Sequence, residues 1–359
     1  MTPSDRYLAL MGLAPKRIPH WEHWSCPDAE TYLTGIDYFE HPRQCRLRMK
    51  ELYPQLNLPV PKTDDPVPHP DAGSDDPGQP HTVRWGAGQS SHWDWGSKFK
   101  TAEDVFAFSP LEQGDFTDIP VVESRDYRDE EALYRAFREG HPPELGERGE
   151  EGAASEVGFY NTMFMWPLLT FGWELFLETC LDPRFERIMD EFAEINRRVF
   201  RTFARLPVNF VVCHDDIVNS HGPVCSPEWM HKYIFPRYEE FWGIVKAAGK
   251  EVIFMTDGCA DAFVADVFAC GARGIISEPY TDYKAIARRY ENCFLAGEGD
   301  VRVLMRNDAA EIEAMVASML ETAGMTGGYI MCIGNHIPWN TSPEGIKRYL
   351  DLCAERAHR

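Results

Sequence analysis

The sequence predicts an α/β fold, a distorted (β/α)8 TIM barrel with an elaborated, loop-rich N-terminal third. Short apolar runs alternate with helical segments at intervals of roughly 30 residues, the length of a strand-helix-strand unit. Each apolar run ends abruptly in polar, ionisable residues. Continuous apolar runs are typical of parallel strands buried on both faces, and α/β barrels build their active sites at the carboxyl ends of such strands. The pattern therefore predicts an enzyme.

The N-terminal third is irregular. The pattern predicts a short helix within residues 2–12, capped by Ser4, and a first strand or extended segment over residues 18–24. Residues 59–97 are rich in Pro, Gly, Asp and aromatic residues, which indicates long loops, with a hairpin across one mouth of the barrel as an option. Residues 141–155 are predicted to form a flexible acidic loop.

The chain becomes regular from Val157 onward. Strands are predicted at the apolar runs 157–159, 208–212, 252–254, 274–276, 294–296 and 329–332. Helices are predicted over 176–205, from the Ser226 cap to about 249 with a kink at Pro236, and over 260–269, 283–290, 309–323 and 343–357. We expect one barrel domain over 1–359, with 1–155 as the N-terminal elaboration and first strand and 156–357 as the main repeats.

Composition limits the function. The 359 residues carry 36 Lys and Arg against 57 Asp and Glu, a formal charge of −21, which disfavours nucleic acid and anionic membranes as partners. The ten cysteines form no C-x-x-C pair, and the sequence contains neither a signal-peptide pattern nor a membrane-length apolar stretch. We therefore expect a cytoplasmic protein with mostly reduced thiols.

The polar residues at the strand ends are the candidate site. Carboxylates and imidazoles there can act as general acids, bind a hard metal ion, or receive substrate hydrogen bonds. The predicted catalytic residues are Asp216, Asp257, His214 and Glu298. The predicted substrate-binding residues are Tyr160, Asn161, Glu22, Glu278, Asn335 and Trp339, with Glu22 paired to His20. Alternatively, the acidic residues cap helices or form salt bridges, and Trp339 packs in the core.

A series of segments in residues 155–357 resembles the uroporphyrinogen decarboxylase superfamily. In order, they are H-D-D-I, G-P-V-C-S-P-E-W, K-A-A-G-K-E-V-I-F-M-T-D-G-C, F-L-A-G-E-G-D and G-Y-I-M-C-I-G-N-H-I-P-W-N-T-S-P-E-G-I. The resemblance implies a distorted (β/α)8 barrel with its active site at the C-terminal mouth. It also implies that the second acid of a pair such as Asp215-Asp216 faces the cavity.

Two activities are known on this fold: decarboxylation of uroporphyrinogen III without a cofactor, and methyl transfer involving a corrinoid, usually with zinc. The decarboxylases carry an Arg-Gln-Ala-Gly-Arg segment whose arginines grip substrate carboxylates. The corresponding stretch here, residues 19–25, contains no arginine. This difference, with the acidic charge, argues against a true uroporphyrinogen decarboxylase.

The methyltransferases hold zinc with a His-x-Cys motif and a later Cys. Alignment of the strand ends puts Met255, Asp257 and Asn335 at those positions, so the soft ligands are absent. His336, beside Asn335, is a possible substitute, although a one-residue shift on a strand reverses the side chain's direction. The resulting prediction is an oxygen-rich metal site of His336, Asp257 and Glu298, with zinc as one occupant.

The leading hypothesis is a corrinoid-dependent methyltransferase of the demethylating type. It would move a methyl group from a small donor, such as a methoxy-aromatic compound, to a corrinoid on a partner corrinoid-binding protein. One alternative is a decarboxylase or lyase acting on a small carboxylic acid, and another is a non-catalytic ligand- or corrinoid-binding barrel. A homodimer is also compatible with the sequence.

Overall fold

The computed structural model describes residues 4–24, 26–56, 58–67, 82–85, 88–91, 98–113, 125–139, 154–160, 162–338 and 341–358. The chain forms two compact units. Unit 1 comprises Met1–Tyr7 and Trp95–Ile276, and unit 2 comprises Leu8–Asp94 and Ser277–Arg359.

The helices are α1 (Asp5–Leu10), α2 (Pro27–Thr34), α3 (Pro42–Leu52), α4 (Ala102–Ala107), α5 (Pro110–Gln113), α6 (Glu130–Glu139), α7 (Met165–Phe171), α8 (Trp173–Thr179), α9 (Phe185–Arg205), α10 (Pro227–Tyr233), α11 (Phe235–Ala247), α12 (Val264–Ala269), α13 (Tyr283–Arg289), α14 (Val301–Arg306), α15 (Ala309–Met325) and α16 (Pro343–Arg356). The strands are β1 (Thr82–Trp85), β2 (Gly88–Ser91), β3 (Glu156–Tyr160), β4 (Phe210–His214), β5 (Val218–Asn219), β6 (Gly222–Pro223), β7 (Glu251–Met255), β8 (Gly274–Ile276), β9 (Phe294–Ala296) and β10 (Gly328–Ile330).

Unit 1 contains parallel strands in the order β8-β7-β4-β3. Helices connect each strand to the next, as expected for parallel strands. The register aligns Tyr160 with His214 and His214 with Met255, so the last residues of β3, β4 and β7 lie in one row. The predicted strand-helix alternation is confirmed here, and the strands end together at their carboxyl ends.

The helices of unit 1 differ from prediction at two breaks. The stretch 176–205 divides into α8 and α9, because Pro183 disfavours helical backbone at Asp182, whose carbonyl then accepts the N–H of Phe185. The helix that begins after the Ser226 cap divides into α10 and α11 at Ile234, two residues before Pro236. The core of unit 1 is aromatic, and the rings of Tyr238 and Trp242 stack at 4.8 Å.

Unit 2 contains the parallel pair β9 and β10. The segment 18–24 is extended, as expected, and forms isolated parallel bridges from His20 to Met331 and from Trp24 to Ile337. Strands β1 and β2 pair antiparallel within the loop-rich region, so the optional hairpin is present. Its place across a mouth of the barrel stays a prediction.

Ser4 caps α1 as expected, accepting the N–H of Tyr7 at 3.1 Å. The remaining predicted helices appear with shifts of a few residues at their ends, the largest being α12, which begins at Val264. Among the described residues, none of the helices combines the length and the apolar character needed to cross a membrane.

Candidate active site

Three of the predicted catalytic residues meet at the carboxyl ends of β4 and β7 in unit 1. Because His214 is in register with Met255, the residues two positions further on, Asp216 and Asp257, lie side by side. One ligand atom each from His214, Asp216 and Asp257 lies within 4.8 Å of the other two. All three residues are partly exposed. The structure therefore places an imidazole and two carboxylates together at a partly exposed strand-end position.

Asp216 is the centre of this cluster. Its Oδ1 accepts a hydrogen bond from the backbone N–H of Asp257 at 2.8 Å and lies 3.0 Å from Nε2 of His214. Its Oδ2 accepts the hydroxyl of Tyr160 at 3.1 Å. These contacts fix the carboxylate between the ends of three neighbouring strands and orient the His214 ring.

Asp215 points the opposite way, into the core, and is fully buried. Its Oδ2 accepts the N–H groups of Met163 and Phe164 and the hydroxyl of Tyr238, and its Oδ1 accepts the N–H of Met165. The three N–H groups lie at the N-terminus of α7, where the first backbone N–H groups lack partners within the helix, and the hydroxyl comes from α11. Asp215 is therefore an anchor for this helix, a role that sequence reasoning missed. Asp216 is partly exposed, and its expected position facing a cavity stays a prediction.

Tyr160 ends β3 beside His214. The two rings are tilted, with centroids 4.5 Å apart, and the Tyr160 hydroxyl is bound to Asp216. The tyrosine therefore contacts both His214 and Asp216 directly, and its predicted role in substrate binding stays a prediction. Asn161, which follows it and was predicted to bind substrate, lies outside the described residues.

Gly258 positions Asp257. It has φ +105°, and a Cβ at this residue would lie 2.4 Å from the backbone carbon of Asn219 in the β5–β6 hairpin. The N–H of Cys259 donates to the carbonyl of Asn219 at 2.9 Å. The glycine thus permits both the turn and the close approach, and the hairpin packs directly beside Asp257.

The cluster has a strongly negative environment. Burial alone would lower the pKa of His214, but its hydrogen bond to Asp216 and the charges of Asp216, Asp257 and Asp215 outweigh burial and raise it. Burial, together with the charge of Asp216, raises the pKa of Tyr160. The site therefore favours a protonated, cationic His214 next to a neutral tyrosine.

Glu298, the fourth predicted catalytic residue, lies in unit 2 with both carboxylate oxygens hydrogen-bonded. Oε1 accepts the hydroxyls of Ser318 and Thr322 on α15, and Oε2 accepts the hydroxyl of Tyr329 at 2.7 Å. Burial raises the pKa of its carboxyl group, although these hydroxyls oppose the shift. Glu298 lines a cavity of about 380 Å³ that also contains Lys284 and Met315. Its contacts tie β9 to α15, and its catalytic role stays a prediction.

Glu22 is a buried structural group. Its side chain has no exposed surface, and its oxygens accept the hydroxyl of Tyr349, the N–H of Ile333 and a hydrogen bond with His20 at 2.7 Å. The predicted pairing with His20 is present, but the predicted substrate contact is wrong, because the carboxylate has no access to a ligand.

The predicted residues after β10 form a separate polar turn in unit 2. Asn335 has the left-handed φ of +65°, and its Oδ1 lies 2.8 Å from Nδ1 of His336. Its Nδ2 is 3.5 Å from Oε1 of Glu278, and the ring of His336 is 5.7 Å from that of His23. Because Asn335 and His336 lie in a turn after β10 and not on a strand, the reversal of side-chain direction by a one-residue shift does not apply to His336. Trp339 lies outside the described residues.

Asp257 also belongs to the predicted metal ligand set with His336 and Glu298, and that set stays a prediction. Within unit 1, the potential ligands beside Asp257 among the described residues are His214 and Asp216. The parallel register of β4 and β7 decides this, since it makes residues 216 and 257 neighbours.

Comparisons with known proteins fit this architecture. Residues 180–356 match the family model described as uroporphyrinogen decarboxylase (URO-D). No curated protein matches the chain in sequence. The structure is similar to a methyltransferase from Methanosarcina mazei, at 14% identity and a TM-score of 0.56, with 99% of each chain covered.

Two other similarities are too weak to support a conclusion. Xylanase B from Clostridium stercorarium F9 has 12% identity and a TM-score of 0.36, with 66% of this chain and 87% of that chain covered. A xylose isomerase-like TIM barrel protein from Mycobacterium smegmatis has 10% identity and a TM-score of 0.28, with 72% and 99% covered.

The family match lies over the strand-end segments that suggested it, and the similarity to the archaeal structure extends over nearly the whole chain. The match to the uroporphyrinogen decarboxylase (URO-D) family therefore covers residues 180–356, just under half of the chain, and the chain has an α/β fold of the TIM-barrel type.

Proposed function

We propose that the protein is a methyltransferase, which takes a methyl group from a small donor and passes it to a corrinoid held by a partner protein. The observation that carries the proposal is the cluster of His214, Asp216 and Asp257 at the ends of β4 and β7. Similarity in fold to a methyltransferase from Methanosarcina mazei supports the reaction class. The corrinoid partner and a methoxy-aromatic donor come from the superfamily resemblance and belong to the proposal.

Removal of a methyl group leaves an electron pair on the oxygen, nitrogen or sulfur that carried it. That atom is a poor leaving group unless it gains a proton or another positive charge as the bond breaks. His214 fits the proton-donor role, because the neighbouring carboxylates raise its pKa and Asp216 orients its ring. The methyl group would go to the acceptor nucleophile and the proton from His214 to the departing atom. Solvent then reprotonates the imidazole.

His214, Asp216 and Asp257 could instead hold zinc, the usual metal of the branch that the chain resembles, which would supply the positive charge when bound. The thiolate ligands are absent, but an imidazole nitrogen and carboxylate oxygens are also zinc ligands. Nε2 of His214 and Oδ1 of Asp216 are 3.0 Å apart, near the spacing of roughly 3.4 Å expected around a tetrahedral ion, and one ligand atom each of His214, Asp216 and Asp257 lies within 4.8 Å of the other two. The donor set therefore fits a divalent ion after a small adjustment. Proton donation and metal binding are exclusive alternatives, because a metal ion binds the neutral imidazole whereas proton donation requires the cationic form.

Metal analysis of the protein, purified without chelators, separates the two versions. Stoichiometric zinc would support metal assistance. A metal-free protein that still transfers methyl groups would support proton donation by His214. The activity test incubates the full-length protein with reduced free cobalamin and a panel of methoxy-arenes and methylamines. It follows the demethylated product and the cobalamin spectrum. No methyl transfer to free cobalamin or to a corrinoid protein from the same genome would overturn the proposal.

The site assignment has a matched control within unit 1. His231 and Asp266 form another histidine-aspartate pair, 2.9 Å apart, but it is exposed on α10 and α12. His214→Gln and Asp257→Asn should each reduce turnover by about 10²-fold or more. His231→Gln should leave it unchanged. Equal losses in all three variants would contradict the assignment.

The decarboxylase alternative uses the same residues, since a protonated His214 can also donate to a carbanion after loss of carbon dioxide. Assays of carbon dioxide release from small carboxylic acids address it. Release without methyl transfer would favour this alternative. A folded protein with neither activity would favour the non-catalytic barrel.

A further inference from the structure

The sheet of unit 1 has one face covered by helices and another face that carries the candidate site. Successive residues of a strand point to opposite faces. Phe159 of β3 packs against Phe203 of α9, and Phe254 of β7 packs against Trp242 of α11, with ring centroids 5.8 and 5.9 Å apart. The residues that follow Phe159 and Phe254 are in register with His214, so they share with it the opposite face, the His214 face.

The His214 face has two rows of neighbouring residues on β3, β4 and β7. The row at the carboxyl ends consists of Tyr160, His214 and Met255, and the row two residues earlier consists of Gly158, Val212 and Ile253. Every residue of the first row is partly exposed. In the second row Gly158 is exposed and Val212 is partly exposed, whereas Ile253 is buried. The accessible surface therefore continues from His214 towards the amino ends of β3 and β4.

Gly158 lies in the interior of β3, where glycine is less stable than alanine by about 0.5–1 kcal/mol. The backbone does not require a glycine, because its φ is not positive and its pairing with β4 is unbroken. Packing does not require one either. A Cβ on Gly158 would have no described atom within 4 Å apart from its chain neighbours. Because glycine in a strand also marks the close approach of a ligand, a ligand is the remaining reason for its presence.

We propose that the space over Gly158 and Val212, the Gly158 subsite, holds the apolar body of the methyl donor, and that Gly158 selects methyl ethers of flat, ring-sized compounds. The inference rests on the proposed methyl transfer and specifies its donor. Two residues of a strand span about 6.6 Å, so a ring over Gly158 places its ether oxygen level with His214. A side chain at position 158 would occupy the space that the ring needs.

The groups around the Gly158 subsite suit a ring. Val212 provides an aliphatic surface, and Tyr160 contributes its aromatic ring, because its hydroxyl is already hydrogen-bonded. Met255 adds a thioether in register with His214, and thioethers contact aromatic rings favourably. The ionisable groups of the candidate site lie at one end of this surface. An apolar surface with a few well-placed polar groups is typical of small-molecule sites.

The hydrogen bonding of His214 favours an ether over a quaternary ammonium donor. Nε2 lies 3.0 Å from Oδ1 of Asp216, and Nδ1 has no hydrogen-bonding partner in the described part of the chain. In the cationic ring, Nδ1 therefore carries a proton that a ligand can accept. As the bond from carbon to oxygen breaks, the oxygen keeps the electron pair and takes this proton. The acceptor nucleophile supplies the pair for the new bond to carbon. A quaternary ammonium donor would leave as a neutral amine and would need no proton.

A binding experiment tests the subsite without catalysis. Isothermal titration calorimetry measures the Kd of guaiacol, a methoxy-arene, for the full-length protein and its variants. Gly158→Val should raise this Kd by roughly tenfold or more, because the added methyl groups fill the subsite. Urea unfolding should show no loss of stability, since valine is favoured in strands. Gly158→Ala provides a smaller change at the same position.

Gly243→Ala is the matched control for Gly158→Ala. Gly243 lies on α11, is exposed, and likewise has no described atom within 4 Å of a Cβ apart from its own helix backbone and chain neighbours. This variant should bind guaiacol with the wild-type Kd. Absence of guaiacol binding to the wild-type protein, or an unchanged Kd in Gly158→Val, would overturn the proposal.

Turnover separates the donor assignment from the proposed function. Gly158→Val should lower kcat/KM for guaiacol by a larger factor than it lowers kcat/KM for the small donor dimethyl ether. Methyl transfer from tetramethylammonium but not from guaiacol would overturn the donor class alone. Guaiacol that binds in a manner sensitive to Gly158→Val, but is never demethylated, would count against the proposed function and leave the subsite in place.

Discussion

The backbone N–H of Asp257 donates a hydrogen bond to Oδ1 of Asp216 at 2.8 Å, which joins the carboxyl ends of β4 and β7. The same oxygen lies 3.0 Å from Nε2 of His214. Asp216 therefore orients the ring of His214 and also connects the carboxyl ends of β4 and β7. Its substitution should affect activity more than folding, because the residue is partly exposed.

Asp216→Asn tests this directly. The amide oxygen can still accept the N–H of Asp257, but it carries no charge to stabilise a protonated His214. We expect kcat to fall by about 10²- to 10⁴-fold, with the free energy of unfolding changed by less than about 1 kcal/mol. Steady-state kinetics and urea unfolding measure the two effects. Asp266→Asn is the control, and similar kinetic losses in both variants would count against the special role of Asp216.

The protonation of His214 should make both the free energy of unfolding and kcat/KM depend on pH. Its pKa in the folded protein lies above the ordinary value of 6.5, so the folded state binds this proton more tightly than the unfolded state does. The stability gained from this proton is fully present below about pH 6.5 and is lost as the pH rises through the folded pKa. If His214 donates a proton, kcat/KM declines through the same range.

Asp216→Asn should move this decline to lower pH, since burial then dominates the pKa of His214. Profiles of kcat/KM from about pH 5 to pH 9 for both proteins measure the shift. A rate that rises with pH instead would contradict proton donation and favour a bound metal, because metal binding requires a deprotonated imidazole.

Asp215→Ala should unfold the protein far more readily than any change at Asp216. It removes a buried acceptor and leaves the N–H groups of Met163, Phe164 and Met165 and the hydroxyl of Tyr238 without a partner. We expect a loss of about 3 kcal/mol or more in the free energy of unfolding, measured by urea denaturation. Asp215→Asn can retain the three donors that contact Oδ2 and should lose less. Equal stability of all three proteins would refute the anchoring role.

Gly258→Ala combines an unfavourable φ of +105° with a contact of 2.4 Å to the backbone of Asn219. The strain should cost about 2 kcal/mol of stability and displace Asp257, so that activity also falls. Gly249→Ala is a suitable control, since Gly249 has φ +77° and no atom within 4 Å of a Cβ. It should lose only about 1 kcal/mol, with no change in turnover. Thermal unfolding and kinetics distinguish the two variants.

The strand-helix order and the strand-end positions of the acids were predictable from periodicity. Asp216 and Asp257 could also be predicted as neighbours once β4 and β7 were assumed parallel. The anchoring by Asp215 could not, because its donors come from α7, about 50 residues away in the sequence. The burial of Glu22 could not be predicted from the sequence either, because its partners Ile333 and Tyr349 lie more than 300 residues further along the chain.

Glu298 shows a second limit of prediction from sequence, which concerns the direction of a side chain. A glutamate between two glycines at a strand end has the pattern of a catalytic acid, and the sequence does not show which way its side chain turns. The hydroxyls of Ser318, Thr322 and Tyr329 become its neighbours only through the packing of α15 and β10. Pattern identifies the position of such a residue, whereas tertiary packing determines its partners.

Asp215 and Asp216 point in opposite directions, and evolution constrains them differently. Asp215 is constrained by the stability of the fold, and Asp216 by the chemistry of the candidate site. Loss of the buried residue would remove the folded protein, whereas loss of its partly exposed neighbour would leave a folded scaffold with altered chemistry. Descendants of this chain can therefore explore new residues at position 216 without losing the structure that presents them. Such a division helps to explain how one barrel can acquire different reactions at the same strand end.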